Sequence, residues 1–189
     1  MATEKRTVLY SLVSVGFMAA LTFVGSMIQI PIPTPIDNTR IHLGNVFCLL
    51  GGLLLGPLYG GLSAGIGSMF FDLTNPLYIA SAPFTFAFKF LMAALCGLVA
   101  KGRGKVFKIV GAACGAFAYV LLYLAKSFLE NVFVLQVELP VVFASVSVKA
   151  VTSSINGVLA VIIAVPLYYA LSAALRQTEF FMHLPGRER

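Results

Sequence analysis

Charge is what this chain has least of. Only 11% of its 189 residues are charged, against 59% hydrophobic. The net charge of +6 gathers in short clusters rather than on a folded soluble face, which excludes a nucleic-acid role. Cysteine is scarce too. Cys48, Cys96 and Cys114 each stand alone in an apolar run, with no metal or redox spacing between them, and read as small packing residues. His42 and His183 fall on opposite sides of the expected membrane. No Ser/His/Asp set, metal-spaced carboxylate cluster or phosphate loop is present, so catalysis, a bound metal and a cofactor are not expected. Nor are the repeated halves typical of secondary transporters. The first apolar run is already long enough to span a bilayer and is expected to stay as a helix rather than be cleaved.

What is abundant is long apolar sequence. Residues 43–71 carry no charge, yet one helix of that length far exceeds the ~30 Å hydrocarbon core at ~1.5 Å per residue. Gly56-Pro57 interrupts the run, since proline removes a backbone donor and clashes with the preceding turn. Gly52, Gly56 and Gly60, then Gly61 and Gly65, recur every fourth residue, the spacing that lets helices pack closely in lipid. A helical hairpin is therefore expected. Charge supports it: with a hairpin, Lys5 and Arg6, the Lys101–Lys108 cluster, and Arg176, Arg187 and Arg189 all fall on the cytoplasmic side. The expectation is an all-α integral membrane protein, a single domain over 1–189. Six transmembrane helices, at about 8–30, 43–55, 58–73, 83–99, 106–131 and 141–175, would place both termini in the cytoplasm. The tail after residue 175 would lie at the cytoplasmic interface.

Polar residues single out one end of this bundle. Gly16, Ala19 and Ala20 form a small-residue patch on the first helix, for packing within the protein or docking a partner. Pro31, Pro33 and Pro35 stiffen an extended segment leading to Asp37, Asn38, Arg40 and His42, either a plain connector or a lid. Asp72 ends the third helix, either as a terminating residue or as part of a site, and Asn75 and Tyr78 follow it. Lys89 lies two turns into the fourth helix, too deep for easy snorkelling and therefore a functional candidate. Lys126 and Glu130 are one turn apart and able to pair, with Asn131 beside them. Lys149, Thr152, Ser153 and Asn156 share one face of the last helix. These residues converge on a pocket open to the outside, for which Phe84, Phe86, Phe88, Tyr119 and Tyr123 can supply aromatic walls.

The segment Leu53-Leu54-Leu55-Gly56-Pro57-Leu58-Tyr59-Gly60-Gly61, with Gly67, Asp72, Ala82-Pro83-Phe84 and Lys89, resembles the substrate-binding (S) components of energy-coupling factor (ECF) vitamin transporters. The likeness is to the riboflavin/hydroxymethylpyrimidine-type branch and covers nearly the whole chain. It implies a non-enzymatic subunit of an ABC-type importer in the bacterial plasma membrane. Such a subunit captures a water-soluble vitamin or precursor outside and works with a transmembrane coupling subunit and two ATPases. The family's AxxxA signature for the coupling subunit falls on Gly16 and Ala20. Metal-carrying members have a histidine after the initiator methionine, whereas this chain begins Met1-Ala2-Thr3, which implies an organic cargo. Three lysines against one obvious acid point to a ligand with a carboxylate or phosphate. The substrate-binding candidates are Asn75, Tyr78, Phe84, Lys89, Tyr123, Lys126, Glu130, Asn131, Lys149, Ser153 and Asn156. Two other classes compete: a self-sufficient carrier, and a membrane-embedded lipid-modifying enzyme using Asp72 and the lysines.

Overall fold

A computed structural model describes residues 2–175 in backbone and 8–175 in side chains. The charges of Lys5 and Arg6, His183 and the expected interfacial tail lie outside the residues whose side chains are described. The chain order is α1 (Ala2–Met27), β1 (Gln29–Pro33), β2 (Asn38–His42), α2 (Gly44–Thr74), α3 (Ala82–Ala100), α4 (Lys105–Leu129) and α5 (Leu139–Leu175). A 3-10 turn, Ile79–Ser81, leads into α3, and a π-helical turn, Glu130–Val134, ends α4. Among the described residues five helices are long and apolar enough to cross a membrane.

The longest uncharged run forms the centre. α2 packs against α1, α3, α4 and α5, and residues on all its sides are buried, as expected of a helix apolar all round. Its backbone leaves the helical region at Gly56, where φ is 78° and ψ is −173°. That conformation is essentially restricted to glycine. The following proline lacks the N–H that a continuous helix would need. The two arms of α2 fold back on each other across this break: a Cβ on Gly60 would lie 2.7 Å from Cα of Gly52, and Cys48 Sγ sits 3.7 Å from Ser68 Oγ. The glycines there replace side chains with direct backbone contact, the usual means of close packing where lipid offers no hydrophobic drive.

Two features depart from the expectation. The first helix ends at Met27 rather than residue 30, and the stiff extended stretch expected after it is a strand paired with a second one, a pairing the sequence did not indicate. β1 and β2 pair antiparallel, Gln29 with His42 through Pro33 with Asn38. Pro31 and Pro33 are tolerated because a two-stranded ribbon has free edges on which a missing donor is harmless. The connecting turn is tied by Thr34, whose N–H donates to the Asp37 carbonyl at 2.8 Å and whose hydroxyl donates to Asp37 Oδ1 at 2.7 Å. The ribbon lies across one end of the bundle. Beneath it, Leu49, Leu50, Met92, Ala93, Cys96 and Ala160 form a fully buried apolar layer.

Candidate ligand-binding site

Between ribbon and bundle lies a cavity of about 500 Å³. That is within the ~300–1,000 Å³ typical of small-molecule sites. β2 supplies Thr39, Arg40 and His42, with Asp37 and Asn38 from the turn; α3 supplies Phe84, Phe88 and Lys89; α4 supplies Tyr119, Tyr123, Lys126 and Ser127; α5 supplies Lys149, Ser153 and Asn156. Asp72, Tyr78, Glu130 and Asn131 complete the wall.

The ribbon is fastened by side chains more than a hundred residues away. Asn156 Oδ1 accepts the His42 N–H at 3.0 Å, and its Nδ2 donates to the Arg40 carbonyl at 2.7 Å. One amide thus satisfies a donor and an acceptor of β2 that face away from β1, and the two bonds fix its orientation. Lys149 Nζ donates to Asp37 Oδ2 at 2.6 Å and to Ser127 Oγ at 2.7 Å. Ser145 Oγ donates to Thr34 Oγ1 at 3.0 Å. The shared face read from sequence on the last helix is real: Lys149, Thr152, Ser153 and Asn156 are all buried. They divide by role, however. Thr152 and Ser153 return their hydroxyls to Val148 and Lys149 carbonyls of their own helix, while Lys149 and Asn156 reach outward.

Most cations in the cavity have an anion. Arg40 Nη2 lies 2.9 Å from Asp72 Oδ1, and the guanidinium is sandwiched 4.4 Å from the Phe71 ring centre and 4.0 Å from that of Tyr78. Lys126 pairs with Glu130 one turn on, and also donates to Ser81 Oγ at 3.1 Å. Lys149 pairs with Asp37. The expected balance of three lysines against one acid is therefore corrected, because Asp37 on the ribbon and Asp72 on α2 join Glu130. Lys89 is different. It is 2% exposed, donates to Asn45 Oδ1, lies 3.5 Å from the Tyr119 ring centre, and has no carboxylate partner among the described residues. His42 Nδ1 accepts from the Gly44 N–H at 3.1 Å, which leaves the ring proton on Nε2. Burial first, then the Lys89 and Arg40 charges, hold its pKa well below the usual histidine value, so the ring is neutral.

The structure brings to this cavity all four lid candidates and every substrate-binding candidate except Asn75, whereas Phe86 and Thr152, also read onto the pocket, do not line it. Asn75 is not among the lining residues: its Oδ1 accepts the Leu77 N–H at 3.1 Å and shapes the turn after α2. Phe86 stacks on Phe90 and faces Gly65 instead of the cavity. Thr39, Ser127 and Ser26 line the cavity without having been singled out; nothing in their spacing marked them. On α1, Gly16 and Ala20 are exposed, whereas Ala19 is buried and its carbonyl faces Gly67 of α2.

An apolar helical bundle with a charge-lined cavity at one end has the form of a membrane protein with a small-molecule site. Comparison with known families agrees with that class. The model for the ECF-type riboflavin transporter, S component, matches residues 7–173, and the chain belongs to this family. It is an integral membrane protein and the substrate-binding subunit of an ECF transporter. A protein of Pyrococcus woesei described as "Uncharacterized protein in gap 3'region" is 29% identical over 110 residues, covering 58% of this chain and 72% of that protein.

Proposed function

We propose that this chain captures a vitamin or vitamin precursor at the outer face of the cell membrane and hands it to a separate ATP-driven module. The observation that carries the reading is the cavity of about 500 Å³ closed by a ribbon that Asn156 and Lys149 fasten. A site that must hold a solute tightly benefits from such a preorganised roof, because rigid, prepositioned groups lower the ordering cost of binding. The break at Gly56 counts as a turn between two spans, giving a single domain of six spans with both termini cytoplasmic. The ribbon and cavity are then outside. Neither enzymatic chemistry nor self-powered transport enters this reading. The ATPases sit in partner subunits, and the coupling subunit docks on the exposed face of α1 that carries Gly16 and Ala20.

Riboflavin, named by the family, is the first ligand to test, with other water-soluble vitamins and their precursors beside it. Native mass spectrometry of the gently purified protein, followed by titration against that panel, should yield a complex of one vitamin-sized molecule per chain. A protein that binds no member of the panel, but turns over a lipid or carries solute alone in ATP-free vesicles, overturns the reading.

A further inference from the structure

The cavity's three ion pairs leave one cation over. Arg40 is matched by Asp72, Lys126 by Glu130 and Lys149 by Asp37, while among the described residues Lys89 has only a neutral amide oxygen and an aromatic face. A lysine ammonium has three donors. Asn45 takes one and the Tyr119 ring another, which leaves one for the cavity that Lys89 lines. The neighbouring groups on the same wall are donors as well. His42 carries its ring proton on Nε2, because Nδ1 is occupied by Gly44. Arg40 Nη1 is buried with no partner among the described residues, while its other nitrogen holds Asp72.

From this arrangement we infer that the ligand presents a carbonyl oxygen or an oxyanion to Lys89, with His42 and Arg40 as flanking donors, and that Lys89 decides specificity. The inference rests on the capture function proposed above. An uncompensated ammonium buried in an apolar bundle is costly, and a ligand oxygen removes that cost only in the bound state. The same charge repels any ligand that turns an amine or other cation toward α3, so Lys89 selects by exclusion as well as attraction.

The test measures dissociation constants of the detergent-purified full chain for riboflavin, riboflavin 5'-phosphate, pantothenate and pantothenol. The protein is compared with Lys89→Met and Lys89→Gln, each first checked for an unchanged helical spectrum. Loss of a charge-assisted hydrogen bond predicts roughly 10- to 100-fold weaker binding of the preferred probe in both variants. Two results identify the source of the oxygen. Pantothenate bound over pantothenol, with the preference erased in the variants, indicates an oxyanion. Riboflavin bound as well as its phosphate, with its infrared carbonyl stretch moving to higher frequency in the variants, indicates a carbonyl; a merely structural lysine would leave that stretch in place. Variants that bind the wild-type ligand within about twofold overturn the assignment of Lys89 and leave the capture function standing. Wild-type protein that binds none of these four probes but binds another vitamin of the panel as tightly in both variants overturns the assignment of Lys89 alone; wild-type protein that binds no member of the panel overturns both.

Discussion

Replacing Asn156 by leucine isolates the fastening of the ribbon. The substitution keeps the branched outline of the side chain and raises the helix propensity of α5, but removes both hydrogen bonds to β2, at 3.0 Å to His42 and 2.7 Å to Arg40. Two such bonds contribute about 1 kcal/mol each, and the stranded His42 N–H adds a desolvation penalty of roughly 1–2 kcal/mol because that bond is buried. The sum, about 3–4 kcal/mol, shifts the ratio of seated to detached ribbon by roughly 150- to 1,000-fold. Amide hydrogen exchange reads this directly and needs no ligand. Amides of 38–42 should exchange faster by up to that factor, while those of α2 and α3 stay as in the wild type. Ligand dissociation should accelerate in parallel, since a detached ribbon opens the cavity. Exchange in 38–42 changing by less than about threefold, with the variant folded, would refute the claim that Asn156 is the principal fastening.

Four further outcomes follow from the same structure. Lys149→Met should loosen mainly the turn at 34–37; because Asp37 is half exposed, the loss is at most about 1 kcal/mol, and exchange of that turn should lose its salt dependence in the variant. Gly60→Ala should lower the thermal midpoint by several degrees, since its Cβ meets the facing backbone at Gly51 and Gly52, whereas Gly16→Ala, with nothing within 4 Å, should not. His42 has a folded pKa below its unfolded value, so the folded state binds fewer protons; its contribution is full above about pH 6.5 and falls by about 1.4 kcal/mol per unit below that. The protection factors of the ribbon amides, with the intrinsic pH dependence of exchange divided out, should therefore be lower at pH 5.5 than at 7.5, and His42→Asn, which keeps an acceptor for Gly44, should flatten that response. Gly16→Leu should leave ligand binding intact and abolish ATP-driven uptake in cells carrying the coupling module; unimpaired uptake would remove α1 as the docking face.

Helices were legible because lipid imposes length and hydropathy on every span, and because Gly56-Pro57 states its break in two adjacent letters. The polar face of α5 was legible for the same reason: Lys149, Thr152, Ser153 and Asn156 violate an apolar pattern at helical spacing. The ribbon was not. Pro31 and Pro33 argue against strand in any sheet with two neighbours, and only a two-stranded pairing makes them harmless. Ion pairs divided by sequence distance. Lys126 with Glu130 could be read one turn apart, but Lys149 with Asp37 and Arg40 with Asp72 join residues 112 and 32 positions apart, which no periodicity records. That is why the lysines looked unbalanced and why Lys89, the one that is, could not be told from the others. Asn75 misled for a related reason: an asparagine beside proline satisfies a turn as readily as a ligand.

The apolar layer of Leu49, Leu50, Met92, Ala93, Cys96 and Ala160 has a consequence for the cell's energy economy. Those side chains offer no oxygen or nitrogen to replace the hydration shell of a proton or sodium ion, and an ion crossing them bare faces a barrier of many kcal/mol. The bundle is thus an insulator below its cavity. A cell can keep many idle copies in its membrane without short-circuiting the ion gradients on which the rest of that membrane runs.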